Sequence, residues 1–346
     1  MSERRIARRR GQRVGLTDLV LLVVLVALLS ACGGEKGIAR SDGTVTPVAS
    51  SALALPASLG VDAGSNRIYV ASESPDAISV IDGGSNSVVG TLPAGLFPRA
   101  IAVDESSNRI YVASRRSELW VIDGTTNSVD ASIALDHSPM VLAVNPDAGR
   151  IYVADFEGTL SVIDAETSAV VATLLVGRNP VAMVVNLTTG RIYVATYGSP
   201  KISVVDGESN TVVAKVGVGD LPIALALNPE TNRIYVADGA AGNVAVIDGS
   251  TDALIASVKL SGIPSSLVLN PVTERIYVAE ADVISVLDGD SNVLTATVAV
   301  GNSPRGLAVN AVTNRIYVAL SLTADVLVID GATNAVIATV AVAGTQ

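Results

Sequence analysis

From residue 47 onward the chain reads as short apolar runs separated by clusters of Asp, Gly, Asn, Ser and Pro. Within residues 98–134 the runs are Ala100–Val103, Arg109–Ala113, Leu119–Ile122 and Ser128–Ala134. Runs of this length, rich in β-branched residues and bounded by turn formers, predict strands. Asp-Gly-x-(Ser/Thr)-Asn links the third run to the fourth, as in Asp206 to Asn210, and Asn-Pro-x-Thr-Asn links the first to the second, as in Asn228 to Asn232. Asp and Asn side chains cap backbone groups, and Gly and Asn tolerate positive φ, so both links predict tight turns. The runs are apolar at nearly every position, which predicts sheets packed on both faces. The first run alternates small and large, as in Ile101-Ala102-Val103 and Leu225-Ala226-Leu227, which suits a crowded innermost strand. No convincing helix follows residue 31.

These runs belong to one unit written seven times. Arg-Ile-Tyr-Val-Ala recurs with its tyrosines at Tyr69, Tyr111, Tyr152, Tyr193, Tyr235, Tyr277 and Tyr317. A proline stands 13 residues before each tyrosine, from Pro56 to Pro304. An aspartate closes each third run: Asp82, Asp123, Asp164, Asp206, Asp248, Asp288 and Asp330. Four strands per unit and a period of 40–42 residues match one propeller blade. The terminal units look like the central ones, which favours a closed ring over a solenoid with capped ends. The expected fold is therefore all-β, a seven-bladed β-propeller with four antiparallel strands per blade, over residues 47–346. Closure is open at this point: residues 44–55 are surplus to the seven units, and either pair with the last blade or only lead into the first.

The repeated Arg-Ile-Tyr-Val-Ala, Val-Ile-Asp-Gly and Asn-x-Pro strings resemble the YVTN-repeat β-propeller family, which includes surface-layer and periplasmic propellers. The resemblance covers nearly all of the chain after residue 45 and implies fold far more than function. The family's Tyr-Val-Thr-Asn is Tyr-Val-Ala-x here, so contacts that depend on that threonine do not carry over.

The first residues read as an address. Six arginines lie within residues 1–13, an apolar run spans Leu19 to Leu29, and Ser30-Ala31-Cys32 follows. A basic segment, a short apolar run and small residues describe a secretory signal. Leu29-Ser30-Ala31-Cys32 resembles the bacterial lipoprotein box, whose cysteine is acylated (palmitate among the chains) and becomes the new N-terminus. Cys32 is the one cysteine in the chain. The expectation is a signal peptide over 1–31, a flexible Gly-rich tether over 32–46, and a lipid-anchored place in the bacterial cell envelope. A plain N-terminal membrane anchor is the alternative, although the apolar run falls short of the roughly 20 residues that a spanning helix needs. Loss of residues 1–31 leaves 17 basic and 31 acidic residues, a formal charge of −14.

One cysteine and one histidine exclude a disulfide within the chain, cysteine-based zinc sites and His-rich metal sites, and no metal or cofactor is expected. The motif Arg and Asp residues recur in every blade and read as structural. Asp288-Gly289-Asp290-Ser291-Asn292 lacks the remaining ligands of a calcium loop and reads as a turn. All the length variation between repeats lies between the tyrosine and the aspartate, an interval that holds the second-to-third strand loop. Variable loops on a rigid scaffold are where binding usually resides.

Subtracting the repeat leaves a candidate patch on blades 2 to 4: Phe97, Arg99, Arg115, Arg116, His137, Met140, Phe156, Arg178, Tyr197 and Lys201. Aromatics and arginine are enriched at binding hot spots. Trp120, which stands where most other blades have a small residue, is either part of this patch or core. His137 reads as a solvated loop residue with Asp136 as its possible neighbour. Three function classes follow. The leading one is a non-catalytic binding or surface-organising scaffold, a monomeric propeller, for an envelope protein, peptide or glycan. The second is a lactonase-like hydrolase or lyase, for which Asp136, His137, Asp155, Glu157, Asp220 and Asp238 are the plausible groups; no catalytic constellation is marked by a motif. The third is nucleic-acid binding, which the acidic net charge opposes.

Overall fold

The computed structural model describes residues 56–73, 76–93 and 97–342. The expected signal segment, Cys32, the tether and residues 44–55 lie outside them. Twenty-eight strands form seven four-stranded antiparallel sheets, each built from four consecutive strands. The protein is a seven-bladed β-propeller, and each sequence unit is one blade. In blade 2 the strands are Pro98–Asp104, Arg109–Ser114, Glu118–Asp123 and Ser128–Ala134. They begin and end at the predicted turns, and run one or two residues beyond some of the apolar runs.

The second strand is the centre of each sheet. Tyr111 pairs with Ala102 on one side and Val121 on the other. All seven motif tyrosines are buried among apolar side chains of two neighbouring blades. Burial raises their phenol pKa above the ordinary value. The fourth strand departs from the expectation of two packed faces. It lies on the rim, where no further sheet covers it, and Val213, Leu254 and Ile255 are about half exposed. A register shift between the third and fourth strands in every blade, such as Val121/Ile122, bends this free edge. Bulges of this kind blunt edge-to-edge association.

The motif arginines staple one blade to the next. Arg67 donates to the Gly124 carbonyl at 2.9 Å, Arg109 to that of Ala165 at 3.1 Å, and Arg233 to that of Gly289 at 2.6 Å. Arg191 and Arg275 make the same bond to Gly249 and Gly331. Arg150 is the exception: it pairs with Asp164 of its own blade at 2.7 Å. These contacts account for the arginine repeat without an anion.

Blade 7 meets blade 1 by side-by-side packing. Among the described residues no strand is exchanged between them. Arg315 donates to the Gly83 carbonyl, Asn310 Nδ2 donates to Asn66 Oδ1 at 2.9 Å, and Tyr317 packs with Ile68 and Val70. The ring is closed by the contacts that join its other blades.

The aspartate ending each third strand accepts bonds from the turn it caps. Asp82 accepts Ser85 N–H at 2.7 Å and Asp330 accepts Thr333 N–H at 2.9 Å. Backbone and hydroxyl donors of these turns hold Asp82, Asp123, Asp164, Asp206, Asp248, Asp288 and Asp330 below the ordinary aspartate value. When the native value is depressed, the unfolded chain takes up the proton first as pH falls. The stability these seven carboxylates contribute is complete above the ordinary value of 3.8 and is lost as pH falls through their lower native values. The thermal midpoint is therefore expected to fall steeply below about pH 4, and Asp248→Asn to flatten part of that fall. A pH profile unchanged by this substitution would contradict the assignment.

Candidate functional site

Strand pairing sets which loops share a face. Pro98 pairs with Ser114 and Glu118 with Ala134, so the blade-to-blade loop and the second-to-third strand loop emerge at one end of the sheet. A backbone clasp then joins the two loops within a blade. Arg115 N–H donates to the Phe97 carbonyl at 3.2 Å, Phe156 N–H to Ser138 at 3.3 Å, and Tyr197 N–H to Asn179 at 2.9 Å. Asn179 N–H also donates to the Phe156 carbonyl at 2.9 Å, which ties blade 3 to the loop entering blade 4.

The ten patch residues accordingly lie on this face, in two groups. Phe97, Arg99, Arg115 and Arg116 belong to blade 2 and its entry loop; Phe97, Arg115 and Arg116 are exposed. His137, Met140, Phe156, Arg178, Tyr197 and Lys201 gather on blades 3 and 4, with Met140 and Tyr197 partly covered. Arg178 donates to Glu157 at 2.7 Å, so its charge is balanced locally. A surface pair of this sort contributes little to stability, about 0–1 kcal/mol. Trp120 packs against the cluster between blades 1 and 2 and donates Nε1–H to Glu118 at 3.1 Å, which makes it mainly core.

His137 has a partner other than its sequence neighbour Asp136. Its Nδ1 stands 3.2 Å from Asp155 Oδ2. Asp155 is buried at the end of the second strand of blade 3, and its Oδ1 accepts Thr159 N–H at 2.9 Å. The corresponding position holds an acid in two other blades, both fully engaged. Asp238 accepts four backbone N–H bonds, from Asp220, Leu221, Ala240 and Ala241. Glu280 accepts from the Ser261 and Ser285 hydroxyls. Asp238 thus holds its own loop together, and Asp220 joins it through its backbone N–H.

Beside His137 and Asp155 lies a cavity of ≈ 160 Å³ between the end of blade 2 and the sheet of blade 3. Its floor is one face of that sheet, where Val153 pairs with Ser161 and Ser161 with Thr173, while Thr159 lies two residues along from Ser161. Leu135, Asp136 and His137 form the opposite wall. Composition alone gave no signal for Thr159, Ser161 and Thr173.

The structure also singles out the residue after each motif proline. In six blades it is the extra residue of a bulge, at the innermost strand's end on the variable-loop face. Arg99 and Met140 are two of these; Arg305, exposed, is a third that the patch omitted. Its signal was the fixed offset from proline. Among the described residues no group of three or more His, Cys, Asp or Glu side chains is placed to hold a metal.

No family model matches the chain, and no curated protein matches it either. Among solved structures, hydrazine synthase of Kuenenia stuttgartiensis superposes with a TM-score of 0.73 over 84% of this chain and 99% of that one, at 17% identity. Likeness at that identity shows the shared fold.

Proposed function

We propose that this protein is a lipid-anchored component of the bacterial cell envelope, a single propeller ring that acts as a non-catalytic binding scaffold. The observation that carries the reading is the concentration of side chains outside the repeat, Phe97, Phe156 and Tyr197 with Arg115, Arg116 and Lys201, on the one face whose loops vary in length. The anchor rests on Leu29-Ser30-Ala31-Cys32 and on the absence of any other cysteine. Several acyl chains hold firmly, since each buried CH₂ adds about 0.8 kcal/mol.

Two outcomes follow. The full chain should label with palmitate and sediment with membranes, and Cys32→Ser should lose both; a membrane-bound, unlabelled wild type would refute the anchor. Against envelope extracts, the combined variant Phe97→Ala, Arg116→Ala, Phe156→Ala and Tyr197→Ala should stay folded and lose a partner that the parent captures. Equal capture by both would remove the patch from the interface. The His137–Asp155 pair beside a cavity supports a second reading, a small-ester or lactone hydrolase with His137 as base. That reading requires turnover that disappears in His137→Asn.

A further inference from the structure

We propose that the cavity between blades 2 and 3 binds one neutral pyranose ring, either a free sugar or the end of a glycan. The inference rests on the binding reading of the variable-loop face and names the class of ligand. At the position equivalent to Ser161 blade 1 carries Ser79 and blade 5 Ala245, both buried, whereas Ser161 is only partly covered. At the position of Ser161, blade 2 carries Trp120, packed against the neighbouring cluster. Blade 7 carries Leu327, buried beside Leu320. Blade 6 carries Ser285, bonded to Glu280, which also reaches Ser261. In blade 4 Ser203 gives its hydroxyl to the Val176 carbonyl at 2.7 Å. Ser161 instead lines open space.

Size and lining select the occupant. A cavity of about 150 Å³ admits a six-membered ring when its walls are apolar, as benzene binding to an engineered cavity shows. Here the walls are mixed. Leu135 and Val153 offer apolar surface to ring C–H groups. Thr159, Ser161 and Thr173 offer hydroxyls that both donate and accept, and the carboxylates of Asp136 and Asp155 accept. With Nδ1 turned to Asp155, His137 keeps Nε2 for a ligand hydroxyl. Two carboxylates disfavour an anion. Asp155 already takes Thr159 N–H and the imidazole, which leaves no cluster for a metal. A neutral ring that carries hydroxyls on its edge and C–H groups on its faces meets all of these demands.

His137 is the only histidine in the chain, so its imidazole gives one reporter signal. The full chain in detergent micelles, labelled with carbon-13 at histidine, would be titrated with methyl glucoside, methyl galactoside, methyl mannoside and N-acetylglucosamine, and with disaccharides ending in each. At least one should move the imidazole resonance saturably, with a Kd in the millimolar range expected of a single small ring. Ser161→Leu copies the native residue of blade 7 and fills the cavity while leaving the exposed patch in place. It should keep its thermal midpoint and weaken the sugar by about tenfold or more. Asp155→Asn should weaken it as well. A disaccharide that binds more tightly than its monosaccharide identifies a glycan end, and equal binding identifies a free sugar. No response to any sugar, or an undiminished response in a folded Ser161→Leu, overturns the proposal. Loss of sugar binding in Ser161→Leu with partner capture intact separates this site from the wider patch.

Discussion

Tyr317→Ala is expected to open the ring at one place, between blades 7 and 1. Tyr317 is fully buried and packs with Ile68, Val70 and Ile81 of blade 1 as well as Val326 and Val328 of its own blade. Removing a buried aromatic costs about 3–5 kcal/mol, enough to lower Tm by roughly 10 °C. Tyr193→Ala removes an equally buried ring between blades 4 and 5, where it packs with Ile234 and Val236. The local loss is similar, but the consequence differs. Blades 4 and 5 are consecutive in the chain and stay close when their contact weakens. Blades 7 and 1 lie at opposite ends of the repeat array, and among the described residues no strand crosses between them. Their contact must offset the entropy of closing the whole array. Hydrogen exchange distinguishes the two. In Tyr317→Ala, amides of the sheets at residues 56–93 and 304–341 should exchange well before those of blades 3 to 5. In Tyr193→Ala, loss of protection should be confined to blades 4 and 5 or follow global unfolding. The same pattern in both variants would mean that closure has another source.

The architecture was legible in the sequence because its information is periodic. Pro98, Arg109 and Tyr111 recur at fixed offsets from one another and Asp123 at a fixed offset from the next proline, and each recurrence restates one contact, Arg150 excepted. Repetition cannot reveal what happens once. The pairing of His137 with Asp155 joins a loop of one unit to a strand of the next. A histidine with an acidic neighbour in sequence gives no hint that a more distant carboxylate holds it. The cavity is harder still to read, since it comes from volume that is missing. Ser161 resembles Ser203 and Ser285 in sequence, yet those two are engaged by Val176 and Glu280. Trp120 stood out as large where small residues are usual, whereas the informative residue was the small one a blade later. The rim strands show the opposite failure. Val212-Val213 and Leu254-Ile255 read as buried, and only their place outside the last hydrogen-bonded neighbour leaves them exposed.

One internal substitution in the repeat predicts a strong non-additive effect. Each third-strand aspartate is followed by glycine except in blade 3, which has Ala165. In blades 1, 2, 5 and 7 an asparagine side chain one turn away forbids a Cβ, whereas in blades 4 and 6 the backbone carbonyls of Gly190 and Glu274 stand 2.5 and 2.6 Å from it. A Cβ on Gly124 would stand 2.2 Å from Asn108 Oδ1 and 2.9 Å from Asn108 Cγ, and Gly249 and Gly331 face Asn232 and Asn314 in the same way. In blade 3 the facing residue is Gly149, which has no side chain to strike Ala165. Both Asn108 and Gly149 hold positive φ, at 51° and 60°, so glycine also suits the backbone at residue 108. Gly124→Ala alone should destabilise by about 1–3 kcal/mol, the usual cost of overpacking. Asn108→Gly alone loses the Nδ2 bond to Thr125 Oγ1 at 2.8 Å and should cost less, about 0.5–1.5 kcal/mol. Together they rebuild the arrangement native to blade 3, and the double variant should regain more than half of the loss caused by Gly124→Ala. Denaturant unfolding of the four proteins measures the coupling directly. Simple addition of the two losses would show that the Asn side chain is not what forbids a Cβ at residue 124. In that case the 2.9 Å approach to the Asn108 carbonyl, which the double variant leaves in place, becomes the cause.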